Sequence, residues 1–391
     1  MSLRILFAAG PGNVIEAHRN WRAGKAEPSQ MSVTFSSEFE SLCVELGASA
    51  YIVSSNGTPG LLKDGQFIIE HRPKLQSPRL NYHLSELMYA VGLLRTARQF
   101  RADYAVLQSG TTHYFAMSIF RLFGIKVIPV LHNTLWPSGF PPTSLVRRLL
   151  LILDSIFFRW LATATLGVSP ACLRQVDQIT RSKSGPLYPF TIQFQPELYH
   201  PAEPPSFDSP LRLLFAGRVT ADKGVFDLLH IMQKVDARLP GGVKLDICGS
   251  GSALDELRTR CSELGLDKVV AIRGWTEPEQ LRQYIRSSHA SIVPTRSGFA
   301  EGMAMTVVEP ILLGRPVITN PVVPALEVLK LACIEAKTDD IGSYANEIVK
   351  LAESPSLYDQ LAAACRPLRQ QFFDRSRSFQ AALGAAIRNS R

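Results

Sequence analysis

Leu211-Arg212-Leu213-Leu214-Phe215-Ala216 runs into Gly217-Arg218-Val219-Thr220-Ala221-Asp222-Lys223-Gly224, and a helical pattern starts at Val225. A short apolar run that ends in glycine and feeds a helix is the strand-to-helix corner of a parallel α/β sheet, where such sheets hold ligands. Gly217 lets backbone approach closely. Arg218 and Lys223 put two cations at the same corner, where the charge of a diphosphate would be neutralised. Taken alone, a basic loop of this kind is more often solvated surface than a site.

Outward from this corner the same alternation recurs in both directions: short apolar runs separated by segments of helical period, the pattern of an α/β fold. Strands are expected near 4–8, 50–54, 104–107, 127–131 and 164–168, then near 211–216, 244–248, 269–273, 291–294, 316–319 and 332–335. Between the two sets lie Pro189, Pro196, Pro201, Pro204, Pro205 and Pro210, a density that neither helices nor central strands tolerate. This gives a first domain over 1–188, a linker over 189–210 and a second domain over 211–374. The helical pattern near 375–391 is expected to pack back and complete the first domain. A chain of 391 residues suits two such cores.

Hydrophobic residues make up 46% and charged residues 19% of the chain, so a folded protein with ample core is expected, without long disorder. The net charge of +8 favours acidic partners but does not choose among them. No basic stretch with interleaved aromatics, zinc-finger spacing or RNA-binding signature occurs, and nucleic acid is set aside. Six cysteines without a C-x-x-C pair argue against a zinc ribbon or disulfide framework and fit a reducing cytoplasm. The opening Met1 to Gly10 is too short and too weakly charged for a signal peptide. Segment 145–166 is interrupted by Arg147, Arg148, Asp154 and Arg159, so it is no transmembrane helix. Two readings of it stay open: a buried amphipathic helix, or a helix lying on the anionic inner face of a membrane.

A second constellation follows a later strand. Pro294 to Ala300 closes that strand, and Glu301-Gly302-Met303-Ala304-Met305-Thr306-Val307-Val308-Glu309 comes next. With a helix beginning near Gly302, its free N–H groups point at whatever Glu301 borders. Glu309, eight positions on, returns to nearly the same face, so both carboxylates would line one cleft.

These residues resemble the retaining GT-B glycosyltransferases of family 4. The resemblance rests on Glu301 to Glu309 followed by Gly314-Arg315-Pro316-Val317, on the corner Gly217, Arg218, Lys223, on the glycine turn Gly249-Ser250-Gly251, and on Gly274-Trp275 before a helix. It implies two Rossmann-like domains with parallel sheets facing a central cleft, the second binding a nucleotide sugar and the first the acceptor. Arg218 and Lys223 would hold the donor diphosphate, Glu309 the ribose hydroxyls, and Trp275 would lie near the base. Glu301 and the N–H groups of Gly302, Met303 and Ala304 would hold the donor sugar. In the first half, Gly10-Pro11-Gly12 resembles the glycine loop under the donor phosphates, and His132 stands where a histidine often faces the sugar. The linker lacks the usual asparagine-glycine turn, Met303-Ala304 replace a usual Phe-Gly pair, and Pro310 removes a backbone donor.

The activity implied is transfer of a hexosyl unit, with retained configuration, from a nucleoside diphosphate sugar to a sugar or lipid-linked glycan in polysaccharide or glycoconjugate synthesis. A UDP-sugar is favoured over a GDP-sugar. No D-x-D motif occurs, so neither metal nor other cofactor is expected, and the two cations act in place of an ion. Loops 16–33 and 135–144, with Trp21, Arg22, Lys25, Trp136 and Phe140, would shape the acceptor pocket. Rival readings are a nucleotide-sugar epimerase or phosphorylase on the same fold, and a binding protein without turnover. Gly10-x-Gly12 and Gly249-x-Gly251 lack the third glycine expected of a dehydrogenase.

Overall fold

A computed structural model describes residues 2–27, 30–74, 80–207 and 210–390. The chain forms two compact units, one of residues 1–135, 142–194 and 374–391, the other of 136–141 and 195–373. Two positions of the proline-rich linker, Asp208 and Ser209, and two of loop 16–33, Pro28 and Ser29, lie outside the described residues, as does Arg391 at the end of the last helical stretch.

The first unit carries β1 (Arg4–Ala9), β2 (Ser49–Ser54), β3 (Gly60–Asp64), β4 (Phe67–His71), β5 (Tyr104–Gln108), β6 (Lys126–Leu131), β7 (Thr165–Gly167) and β8 (Leu187–Pro189). They form one sheet in the order β3-β4-β2-β1-β5-β6-β7-β8. All its pairings are parallel except the hairpin β3–β4 at one edge. The second unit carries β9 (Leu211–Ala216), β10 (Val243–Cys248), β11 (Val270–Gly274), β12 (Ala290–Val293), β13 (Val317–Thr319) and β14 (Cys333–Glu335). Their order is β11-β10-β9-β12-β13-β14, parallel throughout. The strand order reverses at β9, so the ends of β9 and β12 flank the topological switch point, the place where open α/β sheets bind ligands.

Continuous burial explains the apolar runs. Ile5 to Ala8 and Tyr104 to Leu107 are almost wholly enclosed, as central strands covered on both faces must be. Helix Phe35–Leu46 starts on Thr34, whose hydroxyl accepts the Ser37 N–H, and stops at Gly47 with φ 60°. Its Phe39 stacks on Phe7 with ring centroids 4.3 Å apart. The last helix, Phe379–Arg388, packs on this helix. Phe379 is fully buried, and the Gln380 N–H donates to Glu38 at 2.8 Å. That acceptor, buried, has its carboxyl pushed up to about 7 by desolvation.

The structure corrects three expectations. The strands β3, β4 and β8 were not expected. The hairpin turn between β3 and β4 follows Asp64 with Gly65 at φ 55°, a hairpin signal that an all-parallel reading passes over. Residues 16–22 are not loop but most of the helix Val14–Arg22, with Trp21 Nε1 donating to Ser41 and Arg22 forked onto Asp64. Helix Leu145–Trp160 is not buried: Phe157 and Phe158 alone in it are enclosed, and Leu145 is 81% exposed.

Candidate functional site

Four glycines build the floor of the corner after β9. Gly217 has φ 152° and Gly249 φ 143°, conformations unfavourable for side chains, and Gly217 donates its N–H to Cys248 O at 3.0 Å. A Cβ added at Gly249 would stand 1.8 Å from the Gly217 oxygen, and one at Gly251 would stand 2.3 Å from the Val219 oxygen. The loops after β9 and β10 are therefore in backbone contact. At Gly224, φ 74°, an added Cβ would fall 2.1 Å from the Pro294 oxygen, so the β9 loop is equally close to the end of β12.

On this floor Lys223 and Glu301, 78 residues apart in sequence, form a largely enclosed ion pair between Nζ and Oε1. Thr295 Oγ1 donates to the same Glu301 oxygen at 3.2 Å. The Phe299 ring lies beside both cations, its centroid 4.1 Å from Lys223 Nζ and 5.2 Å from Arg218 Cζ. Arg218 is exposed and makes no ion pair among the described residues, which leaves its guanidinium free for an anion. Behind the corner, Asn320 is buried: its amide donates to Thr295 O and to Tyr344 Oη, both at 2.8 Å, and its oxygen accepts from Val322 N. It holds the strand-end loop that carries Thr295. Sequence reasoning missed Phe299, Thr295 and Asn320. Phe299 carried a signal, an aromatic two positions before Glu301 in a strand-end loop; Asn320 acts through a contact that no local pattern encodes.

The second carboxylate stands differently from the expectation. The helix runs Met305–Leu312, so Gly302, Met303 and Ala304 precede it and do not form its first turn. Glu301 and Glu309 thus do not share one helix face. Ala304 adopts φ 56°, a left-handed conformation at which a Cβ costs about 1 kcal/mol. No side chain caps the helix start, so its first N–H groups remain available. Glu309 is buried one turn into the helix, and desolvation pushes its carboxyl up to about 8, opposed by the charge of Arg282. Arg315, fully enclosed, donates to Ala202 O, Glu203 O and Arg286 O at 3.0, 2.7 and 2.7 Å, so it anchors the chain entering the unit.

The remaining candidates are more dispersed. Trp275 follows β11 and is 66% exposed, its indole N–H directed to Glu277 at 3.3 Å. In the first unit Gly10 and Gly12 lie past β1, their carbonyls accepting from Ser54 Oγ. Neither has positive φ, and an added Cβ would meet nothing within 4 Å, so local packing does not demand glycine at either position. His132 follows β6 and packs against Phe35 and Phe190, with ring centroids 4.5 and 5.9 Å away. Both its ring nitrogens are shut from solvent without partners, and burial lowers its pKa to about 4. It is a neutral imidazole with spare hydrogen-bonding capacity.

Residues 200–366 match the family model described as glycosyl transferases group 1. An uncharacterised glycosyltransferase of Methanocaldococcus jannaschii is 29% identical over 123 residues, 32% of this chain and 30% of that protein, so less than a third of the relative's length is spanned. Among solved structures, sucrose-phosphate synthase of Thermosynechococcus elongatus superposes with a TM-score of 0.73 at 15% identity, over 99% of this chain and 98% of that one. The trehalose 6-phosphate synthase of Burkholderia multivorans gives 0.72 at 13%, over 100% and 96%. HepE of Anabaena, solved in complex with UDP, gives 0.66 at 16%, over 100% and 99%. The fold is that of the GT-B glycosyltransferases.

Proposed function

We propose that this chain is a retaining, metal-independent glycosyltransferase that moves a hexosyl unit from a nucleoside diphosphate sugar, UDP favoured over GDP, to a hydroxyl of a sugar or lipid-linked glycan. The observation that carries this reading is the Lys223–Glu301 pair beside Arg218, set on a glycine floor at the switch point of the second sheet. UDP in the complex of HepE supports the donor class.

Each residue then has work that its surroundings suit. Breaking the bond from sugar to diphosphate leaves extra negative charge on the departing phosphate. Arg218 and Lys223 stabilise it, aided by the uncapped start of helix Met305–Leu312, while the N–H groups of Gly302, Met303 and Ala304 would hold the sugar. When the diphosphate takes over Lys223, Glu301 is released to accept hydrogen bonds from sugar hydroxyls. Glu309, protonated in its enclosed site, can donate one hydrogen bond and accept others, as a ribose diol requires. Trp275 presents a flat apolar surface to a base. Gly10, Gly12 and His132 would contribute from the first unit, which would also take the acceptor.

Thermal-shift binding of UDP, GDP and ADP, each with its common sugars, tests this on the wild type and on Lys223→Ala. Stabilisation by one nucleotide that the substitution abolishes is expected; no shift with any of them would refute the donor site. The strained Ala304 and the late helix start favour a second reading, a binder without turnover. Donor binding without transfer to any acceptor would establish it.

A further inference from the structure

We propose that the first unit docks on an anionic bilayer surface through the outer face formed by helix Leu80–Phe100, the segment 118–123 and helix Leu145–Trp160. The proposal rests on this face alone and not on the reaction assigned to the second unit.

The face is continuous. The turn Tyr114–Met117, which leads into 118–123, packs against both long helices. His83 Nδ1 lies 2.9 Å from His113 Nε2, and Asp154 accepts the Phe115 N–H at 2.9 Å, so each helix is tied to that turn by a polar contact. On helix Leu145–Trp160, the exposed Leu145, Leu149, Ile152, Ile156 and Trp160 fall within about 80° of one another at 100° per residue. Phe157 and Phe158 point the other way, into the unit. A stripe of this length that faces solvent is not what a helix folded onto its own core presents. The neighbouring elements continue it with Leu84, Met88 and Val91 on one side and Leu122 and Phe123 between, Met88 being 65% and Leu122 82% exposed.

Its charges have one sign. Arg95, Arg98, Arg121 and Arg148 are exposed on these three elements, while Arg159 lies beside the stripe, its guanidinium over the Trp160 ring at 4.7 Å. The carboxylates of the same elements among the described residues are both taken: Glu86 is buried and paired with Lys74, and Asp154 is engaged by Phe115 N–H and pushed up to about 7 by burial. An apolar surface set among arginines, without exposed acid, complements a sheet of lipid phosphates over acyl chains, with Trp160 and Phe123 suited to the interface. A second copy of this chain is a poor occupant, because a two-fold contact would set arginine against arginine. None of the described helices is long and apolar enough to cross a membrane, so the contact is with the surface.

The test is flotation of the full chain with vesicles of phosphatidylcholine alone and of equal phosphatidylcholine and phosphatidylglycerol, at low and high salt, alongside sedimentation velocity. The chain is expected to float with the anionic vesicles, not the neutral ones, and to be released by salt. Arg95→Glu and Arg148→Glu should each weaken partitioning by about fivefold or more, the worth of one cation near such a surface. Leu149→Ser with Ile152→Ser should weaken it at every salt concentration while leaving the circular dichroism unchanged. Failure to float at low salt, or variants that float like the wild type, would overturn the proposal. So would a concentration-dependent dimer, broken by the same substitutions in a chain that ignores vesicles, which would assign the face to a second copy.

Discussion

Lys223 is committed to Glu301 in the free chain, so a diphosphate must displace a carboxylate that is nearly enclosed with it. Removing that competitor should separate binding from turnover. Glu301→Gln is expected to bind the nucleoside diphosphate several-fold more tightly by calorimetry, while the rate of sugar transfer falls by about a hundredfold, as for loss of an aligned polar group at a reacting centre. Weaker binding in this variant would mean that Glu301 positions Lys223 instead of competing for it. Ala304 offers a separate test, because its left-handed backbone favours glycine. Ala304→Gly should raise stability to urea by about 1 kcal/mol, with an unchanged dependence on denaturant. At this scale the sequence was legible where charge was concerned: Arg218, Lys223 and Glu301 are brought together around Phe299. It was illegible at Asn320 and Arg315, whose work is to satisfy carbonyls supplied from distant chain segments.

The elements that carry these side chains are glycine-dependent to very different degrees. Gly249→Ala would thrust a methyl group onto the Gly217 oxygen at the junction of β9 and β10, where both partners are backbone and neither can yield cheaply. It is expected to cost about 3 kcal/mol or more, read from denaturant unfolding, and to blunt donor binding with it. Gly10→Ala, by contrast, meets open space and should change stability by less than about 0.5 kcal/mol. If Gly10 underlies the donor phosphates, this same variant will still weaken donor binding, and unaltered affinity would remove Gly10 from the site. The contrast shows what periodicity reveals. Fully buried strands such as Leu211–Ala216 announce themselves as apolar runs, and that strand keeps the bounds read from sequence. The hairpin β3–β4 alternates and sits at a sheet edge, and β8 has three residues ending in proline, so neither resembles a buried parallel strand. The helix that carries Glu309 starts late because Gly302 to Ala304 bend ahead of it, a conformation of the backbone that residue spacing does not encode.

Across the whole molecule, burial has set titrating groups against their ordinary ranges in opposing senses. Desolvation holds Glu309 up to about 8 and Glu38 and Asp154 up to about 7, so the folded chain keeps protons that the unfolded chain has released above about pH 4.5. Their stabilising effect is complete below the unfolded values and is lost as pH rises through 7 and 8. His18 adds to this trend: burial opposes its protonation, but its bonds to Glu40 and Asp64 outweigh that and raise it. His132 and His113 act the other way, since burial lowers both to about 4 and the unfolded chain takes up their protons below about 6.5. The two groups of residues oppose each other between about pH 4.5 and 6.5, whereas above that interval only the carboxyls and His18 are still titrating. The melting temperature is therefore expected to change little across the lower interval and to fall by several degrees from pH 6.5 to 8. Glu309→Gln should flatten the upper end of that fall and Glu38→Gln its middle, each measured by calorimetric melting in a buffer series. A melting temperature that instead rises through this range in the wild type would mean that these carboxyls are ionised in the folded chain, and that Glu309 meets a ribose as a carboxylate and not as an acid.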